Sequence, residues 1–370
     1  MNSTMMYYFS KIKDPRINRQ KKYSISEILF LILVCALSGI TNYVDMEDFG
    51  NAHKAWFRKH FEYKYGIPSH DTLGRLMRIM NPKAFQECFI NWVQTLQGKL
   101  NDVVAIDGKS LRHSFESAKK PIHIVSAWSC KSGIVMAQEK VLAKSNEITA
   151  IPKLLELLDI SGCLVSIDAM GCQSTIADQI ISKGGEYLLS LKGNQGNLYD
   201  DVKLFFNDDE LIKQCETYKD IYCDHGRIET RKCSVVKETQ WLINRHKQFS
   251  SIKSIIKIES LREFKNGKLA ESETRYYICS ASLTPDKALT ACRGHWHIEN
   301  KLHWILDVHF DEDASRVRKD HAPENMSIVR RIALNLINRY KEDKKLKISF
   351  RRIQNNNSWK LDQIYSILQQ

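Results

Sequence analysis

Val103-Val-Ala-Ile-Asp107-Gly-Lys109 and Cys163-Leu-Val-Ser-Ile-Asp168-Ala169 are the two stretches on which the fold turns. Each is a short apolar run, rich in β-branched residues, that ends on an aspartate, the pattern of a buried strand delivering a carboxylate at its C-terminal end. Sheets with parallel strands gather their chemistry at those ends, so two acid-tipped strands side by side are a candidate metal site. Aspartate also stands at strand ends for a plainer reason, because it forms turns and caps the helix that follows. The pair alone leaves both readings open, and a third acid would separate them.

Working outward, the first acid-tipped strand is followed by strands at Ile122 to Trp128 and Ile134 to Val141, joined by the turn Lys131-Ser-Gly133. A helix is expected at Ile148 to Leu158, then the second acid-tipped strand, a helix at Ser174 to Lys183 and a strand at Tyr187 to Leu191. This βββαβαβ order of an α/β mixed sheet is that of the ribonuclease H-like fold, which sets the first and fourth strands side by side at the sheet centre and makes Asp107 and Asp168 neighbours. After a helical stretch at Asn194 to Phe206, the segments Ile221 to Val236, Ser254 to Phe264 and Lys268 to Ser280 alternate as antiparallel strands, with a hairpin signal at Lys265-Asn-Gly-Lys268. Residues 205–282 therefore read as a β-rich insertion that does not belong to the core. Helical pattern returns at Pro285 to Asp307 and Pro323 to Tyr340, so a catalytic domain is drawn over 101–342, with a partly helical tail over 343–370.

Residues 1–100 read as an all-helical N-terminal domain, with segments at Ser24 to Ser38, Tyr43 to Lys59, and Asp71 to Gln97 interrupted near Asn81-Pro82. Lys54, Arg58, Lys59, Lys64, Arg75 and Arg78 interleave there with Trp56, Phe57, Phe61, Tyr63 and Tyr65, a composition that can grip a DNA backbone. Taken singly, each of these cations fits an ordinary solvated face. The whole chain carries 55 Lys and Arg against 43 Asp and Glu, a net charge of +12 that favours a polyanionic partner such as nucleic acid. Its 10 cysteines form no CxxC pair and no even ladder of spacings, so neither a zinc ribbon nor a disulfide scaffold is indicated and reduced thiols in a cytosol fit better. The most apolar segment, Ile28 to Leu37, is about half of the ~20 residues needed to span a bilayer, and Ser24-Ile-Ser-Glu27 ahead of it has the form of a capping box. A buried helix is expected there, with no membrane partner.

A third acid stands in Arg293-Gly-His-Trp-His-Ile-Glu-Asn-Lys-Leu-His-Trp-Ile-Leu-Asp307, an amphipathic helix with its apolar stripe on Ile298, Leu302, Ile305 and Leu306. Glu299 lies on the margin of that stripe and is expected half-buried against the sheet, where an acid is costly unless it meets cations or a metal. The same stretch offers a rival, because His295, Glu299 and His303 are spaced i, i+4, i+8 as a zinc grip would be. It also offers a plainer account, in which the histidines and Trp296 simply pack beside the core.

Five motifs in order carry a resemblance: Ala105-Ile-Asp-Gly-Lys109 with Arg112, Ile167-Asp-Ala-Met-Gly-Cys-Gln173, Leu191-Lys-Gly-Asn-Gln195, His225-Gly-Arg-Ile-Glu229 with Arg231, and His295 to Val308 followed by Glu312-Asp313. Together they resemble the DDE transposases of bacterial insertion sequences, in particular the H-repeat-associated group, over residues ~10 to ~340. The resemblance implies a ribonuclease H-like core with a β-rich insertion before the glutamate, and a metal-binding catalytic triad on Asp107, Asp168 and Glu299. Three such carboxylates can hold two Mg²⁺ ions, with Mn²⁺ substituting, for nicking at the mobile element's end and transfer of the freed 3′-OH to target DNA. Lys109, Arg112, Gln173, Lys192, Asn194, Gln195, His225, Arg227, Arg231, Arg293 and His295 are then expected to contact DNA.

The family often has a Tyr seven and an Arg four residues before the glutamate, where this chain has Cys292 and His295, with Arg293 close by. The implied partners are double-stranded DNA, as element ends and as target, and a second copy of the chain in a homodimer on the DNA. The implied location is the bacterial cytoplasm, at the nucleoid. The competing functions are a nuclease of the same fold that cuts without joining, and a catalytically idle DNA-binding relic of a mobile element.

Overall fold

The structure, a computed structural model, describes residues 4–17, 21–96, 101–113, 121–142, 146–224, 227–264 and 269–369. Its strands are β1 (Val103–Leu111), β2 (Ile122–Ser129), β3 (Ile134–Val141), β4 (Leu164–Ile167), β5 (Glu186–Leu191), β6 (Glu216–Asp224), β7 (Arg227–Val236), β8 (Ser254–Phe264) and β9 (Leu269–Cys279). They form one sheet in the order β3-β2-β1-β4-β5-β9-β8-β7-β6. The neighbours β1, β4 and β5 run parallel, and every other pairing is antiparallel. Val104, Ala105, Ile106, Val165 and Ile167 are all buried, as strands covered on both faces require.

The helices are α1 (Thr4–Ser10), α2 (Ile25–Leu37), α3 (Tyr43–Ala52), α4 (Lys54–Phe57), α5 (His70–Ile79), α6 (Pro82–Leu96), α7 (Glu147–Glu156), α8 (Ser174–Ser182), α9 (Asn197–Asn207), α10 (Gln240–Arg245), α11 (Pro285–His297), α12 (Trp304–Phe310), α13 (Ala322–Asp343), α14 (Phe350–Trp359) and α15 (Leu361–Leu368). With α7 and α8 as crossovers, the chain from β1 to β5 has the order expected from sequence, and β1 and β4 are neighbours.

Three local readings differ from the structure. β1 runs on to Leu111 instead of stopping at its acid, because β2 offers it an antiparallel partner along Val104–Leu111 while β4 pairs only Val103–Ile106. Asp107 thus marks the end of the parallel ladder, not of the strand. The strands expected to stand apart from the core continue the same sheet, with β9 lying antiparallel to β5 from Leu188↔Cys279 to Leu191↔Tyr276. Their attachment gives the N–H and C=O groups of β5 a partner that an open edge would lack. The helix expected over Tyr43 to Lys59 breaks at His53 into α3 and α4. The hairpin turn at 265–268 lies outside the described residues, while β8 and β9 pair across it up to Glu263↔Leu269.

The capping box forms as expected, with Ser24 Oγ accepting from Glu27 N at 3.1 Å and Glu27 Oε2 accepting from Ser24 N at 2.7 Å. The helix it opens, α2, is apolar all round and buried from Ile28 to Leu37. No helix among the described residues is long and apolar enough to cross a membrane.

Helix α13 packs on α2, α5, α6, β3 and α15, so N-terminal helices, sheet and C-terminal helices share one core. On the sheet side, Asn335 imitates a strand: its Oδ1 accepts from Val135 N at 2.8 Å and its Nδ2 donates to Val135 O at 2.9 Å. On the C-terminal side, Asn357 Nδ2 donates to Leu37 O at 2.7 Å.

Where α13 passes beneath β2, Arg331 Nη1 meets Glu312 Oε1 at 2.9 Å, and both side chains are 0% exposed. Burial works to neutralise Glu312, but the charges of Arg331, Arg330 and Lys109 hold its carboxyl below the ordinary value. A pair like this contributes little over an apolar replacement, but half of it is a stranded charge. Glu312→Ala is therefore expected to lower the unfolding free energy in urea by about 3–5 kcal/mol, and adding Arg331→Met should recover part of the loss. A single variant as stable as the parent would show that the pair carries no such weight.

Candidate active site

Asp107 and Asp168 follow directly on Ile106 and Ile167, the last facing pair of the β1–β4 ladder. Neighbouring strands lie about 4.8 Å apart, so the register sets the two acids side by side where parallel pairing stops. Asp168 also fills the plainer role, because its Oδ1 accepts from Met170 N at 3.1 Å and Gly171 N at 3.2 Å in a turn. That turn uses one of its two oxygens. Asp107 is pushed up to about 7 by burial, with the negative charges of Glu147, Asp168 and Glu299 adding to the effect and the N–H of Gly108 opposing it. Asp168 is raised as well, by burial first and then by the charge of Glu147.

Glu147 is an acid that sequence reasoning passed over. It opens α7, where an acidic residue is favoured by the helix dipole alone and so carries no signal of its own. Its Oε1 lies 2.5 Å from His123 Nε2, and His123 Nδ1 lies 2.8 Å from Ser110 Oγ. A Cβ at Gly108 would overlap the Glu147 carboxylate and the His123 ring, so a side chain there would have to displace that pair.

Glu299 arrives from the other side of the site on an irregular helix. The expected continuous α-helix widens between α11 and α12 into a π-turn at Ile298–His303, an i→i+5 irregularity frequent at functional sites. The turn fans out the three residues that regular helix geometry would stack. Glu299 is exposed instead of half-buried, while His295 turns toward the Ser166 backbone and His303 Nδ1 stands 3.5 Å from Asp107 Oδ2. Burial pushes His295 down to about 4 and His303 to about 3, the latter helped by the charges of Arg331 and Lys109, so both imidazoles are neutral at neutral pH.

No three His, Cys, Asp or Glu side chains among the described residues converge closely enough to grip a metal ion. The zinc grip of His295, Glu299 and His303 is not assembled, and the same holds for the acids as placed. What the acids share is charge: Glu299 is raised by the protein packed along one side and by Asp168, against the pull of Arg275 and Lys192. Mutually repelling oxygen donors, one of them near 7, fit a hard divalent cation, whose binding displaces a proton.

The expected DNA contacts divide into groups. Asn194 Nδ2 donates to Ala169 O at 2.7 Å, Gln173 Nε2 donates to Met170 O at 3.4 Å, and Gln195 Nε2 donates to Cys172 O, so these amides brace the turn that holds Asp168. Lys109 is buried, with Nζ 2.8 Å from Asp307 Oδ2 and 3.1 Å from Asp313 Oδ1, while the exposed Arg112 reaches Asp313 at 3.3 Å. Lys192 is exposed, and its charge acts on Asp168 and Glu299. His225 lies outside the described residues, and Arg227 opens β7 with a side chain that is not described.

Arg231 and Arg293 line a cleft of about 290 Å³ together with Arg262, Arg275 and Trp296. Arg231 pairs with Glu229, Arg262 reaches Glu229 at 3.2 Å, Arg275 reaches Glu273 at 2.6 Å, and Arg293 reaches Asp220 at 3.2 Å. Arg275, from β9, lies 4.2 Å over the Trp296 ring, and it is the arginine whose charge acts on Glu299. Its charge reaches Glu299, whereas the positions seven and four before that acid hold Cys292 and His295. Its only sequence signal was one basic residue in an alternating strand.

The architecture is a mixed α/β sheet with two acids at the end of its central parallel ladder and an arginine-lined cleft nearby. Residues 98–336 match the family described as "Transposase DDE domain", and residues 6–93 match the one described as "DDE_Tnp_1-associated". The chain belongs to the DDE transposase family, as its motifs suggest. The Escherichia coli K12 protein YbfL is 40% identical over 354 residues, spanning 94% of this chain and 93% of the relative. YhhI of the same strain, which bears the name of an H repeat-associated transposase, matches with the same identity and coverage. YncI of Escherichia coli O157:H7 is 38% identical over 92% of this chain and 89% of its own. A solved synaptic complex of piggyBac transposase with hairpin DNA overlaps 99% of this chain and 77% of its own at 10% identity and a TM-score of 0.41, too slight a likeness to place any residue.

The raised carboxyl of Asp107 makes stability depend on pH. From its unfolded value of about 3.9 up to its folded value of about 7, the folded chain holds a proton that the unfolded chain has released, so stability falls as pH rises through that window. Asp107→Asn removes the effect and is expected to stabilise the metal-free protein by up to about 4 kcal/mol at pH 8 and by little at pH 4. Urea unfolding at both pH values, in chelator, checks the sign; a variant less stable than the parent at pH 8 contradicts it.

Proposed function

We propose that this transposase cuts DNA at the ends of its mobile element and joins the freed 3′-OH to target DNA, with Asp107, Asp168 and Glu299 as the catalytic triad. The observation that carries the reading is the pairing of Asp107 and Asp168 at the end of the β1–β4 ladder, inside a field that Glu147 and Glu299 make more negative. The strand order from β1 to β5 supports a ribonuclease H-like core over 101–342 that includes the strands of 205–282, with a helical DNA-binding region over 1–100 and a helical tail over 343–370.

The three acids would hold Mg²⁺ or Mn²⁺, which supplies Lewis acidity to the attacking and leaving oxygens of an in-line displacement. The remaining work falls to this chain's own residues. Arg275 and Lys192, whose charges already act on Glu299, offset phosphate charge brought to the site. Asn194 and Gln195 keep the Asp168 turn fixed while DNA enters. The neutral His303 beside Asp107 adds no charge that would compete for the carboxylate. The partner is double-stranded DNA, bound by a homodimer in the bacterial cytoplasm at the nucleoid.

Glu299→Gln keeps size and removes the charge from an exposed position, so fold and DNA affinity should survive while chemistry fails. The expected variant shifts element-end DNA on a gel as the parent does, yet loses at least about 100-fold in nicked and joined products with Mg²⁺ or Mn²⁺. Equal activity in the variant ends the triad assignment, and a parent that nicks without ever joining makes the protein a nuclease.

A further inference from the structure

A second basic surface lies away from the arginine cleft, between the N-terminal helices and the segment joining α12 to α13. This groove of about 510 Å³ has Tyr43, Arg75 and Arg78 on one wall and Arg316, Arg318 and Lys319 on the other. The cations of the cleft beside Glu299 are each matched by a carboxylate. Those of the groove have no ion-pair partner among the described residues, and Asp71 is the one acid on its lining. The Tyr43 hydroxyl is buried and meets no hydrogen-bond partner among the described residues. Cations with no carboxylate partner among the described residues, gathered beside a buried donor, make a surface suited to an anion.

The two walls are fastened together. Asn325 Nδ2 donates to Met77 O at 2.8 Å and Met80 O at 2.9 Å, and His321 N donates to Arg78 O at 3.3 Å, so the end of α5 is tied to the start of α13. The groove is also tied to the site, because Arg318 Nε donates at 2.9 Å to the carbonyl of His113, just past the end of the strand that carries Asp107. His113 stands six positions after Asp107, at most about 20 Å along the chain.

We propose that this groove seats the phosphate backbone of duplex DNA, with Arg75, Arg78, Arg316, Arg318, Lys319 and the Tyr43 hydroxyl holding phosphates of a strand whose neighbouring stretch lies at Asp107. The assignment rests on the transposase reading and extends it to residues outside the catalytic motifs. At about 3.4 Å per base pair along the helix axis, a bound of that size keeps the held phosphates within about one helical turn of the reacting bond. Such contacts fix position and carry no base sequence, so the groove sets register for any duplex that enters.

The test uses the full-length chain and a labelled duplex, with affinity measured against salt by fluorescence anisotropy. Removing Arg75 and Arg316 together as alanines is expected to reduce the slope of log K against log salt by about 2 and to weaken binding at about 0.1 M salt by tenfold or more, for an element-end duplex and an unrelated one alike. An Arg75→Lys/Arg316→Lys control that keeps both charges should retain the parent slope. Should the alanine pair fail to fold, Lys319→Glu on the exposed segment replaces it and is expected to weaken binding in the same sequence-independent way. A slope and affinity within about twofold of the parent, in a protein that melts as the parent does, overturns the groove, as does a loss confined to the element-end duplex. Because binding is read without cleavage, a parent that binds through the groove and never cuts counts against the transposase reading alone.

Discussion

The parallel ladder between β1 and β4 is the constraint on which the rest of the site depends. It is four pairs long and stops at Ile106↔Ile167. Because β1 continues against β2, the strand cannot bend away at Asp107, and the acid is held where β4 has turned off into the Asp168 loop. Both carboxylates resist ionisation chiefly because they are buried there, and nearby negative charge, that of Glu147 foremost, adds to the effect. Surrounding structure supports the site: amides from residues 173–195 fix the turn, and Gly108 makes room for the His123–Glu147 pair.

Charge around this centre is arranged in two ways. Deep in the protein, cations are consumed in pairing, as with Arg331 on Glu312 and Lys109 between Asp307 and Asp313. Those pairs bind α12 and the segment after it to β1 and α13, so they position the acids without being available to a ligand. Nearer the surface, the arginines of β7, β8 and β9 sit in a more exposed network with Glu229 and Glu273. The difference follows from solvation, since a buried unpaired cation costs far more than an exposed one.

Helix α13 explains how distant parts of the chain act together. One turn of it pairs with β3 through Asn335, another binds the end of α5 through Asn325, and its apolar faces meet α2 and α15. The helices before the sheet and those after it are therefore joined through this buried element, alongside the direct packing of α6 on β3. Asn335 bonds backbone groups with both its amide oxygen and nitrogen, and Asn325 with its nitrogen, in the core, where leaving such bonds unmade would be costly.

The local pieces could be read from the residues in order, because they follow from periodicity and from side-chain chemistry near in the chain. The Ser24 capping box, the strand order from β1 to β5 and the acids at Asp107 and Asp168 were all legible in short windows, and the family motifs pointed to Glu299. Tertiary structure alone decided what depends on contacts between distant segments. Register extended β1 beyond Asp107, edge pairing joined β9 to β5, and the π-turn after α11 moved Glu299 out to solvent and His303 in to Asp107. Glu147 looked like any acid at a helix start, Arg275 like any residue in an alternating strand, and Lys109 like a free cation until Asp307 and Asp313 met it. A side chain's charge is written in the sequence, but its partner, its solvation and hence its effective charge are fixed only when the chain has folded around it.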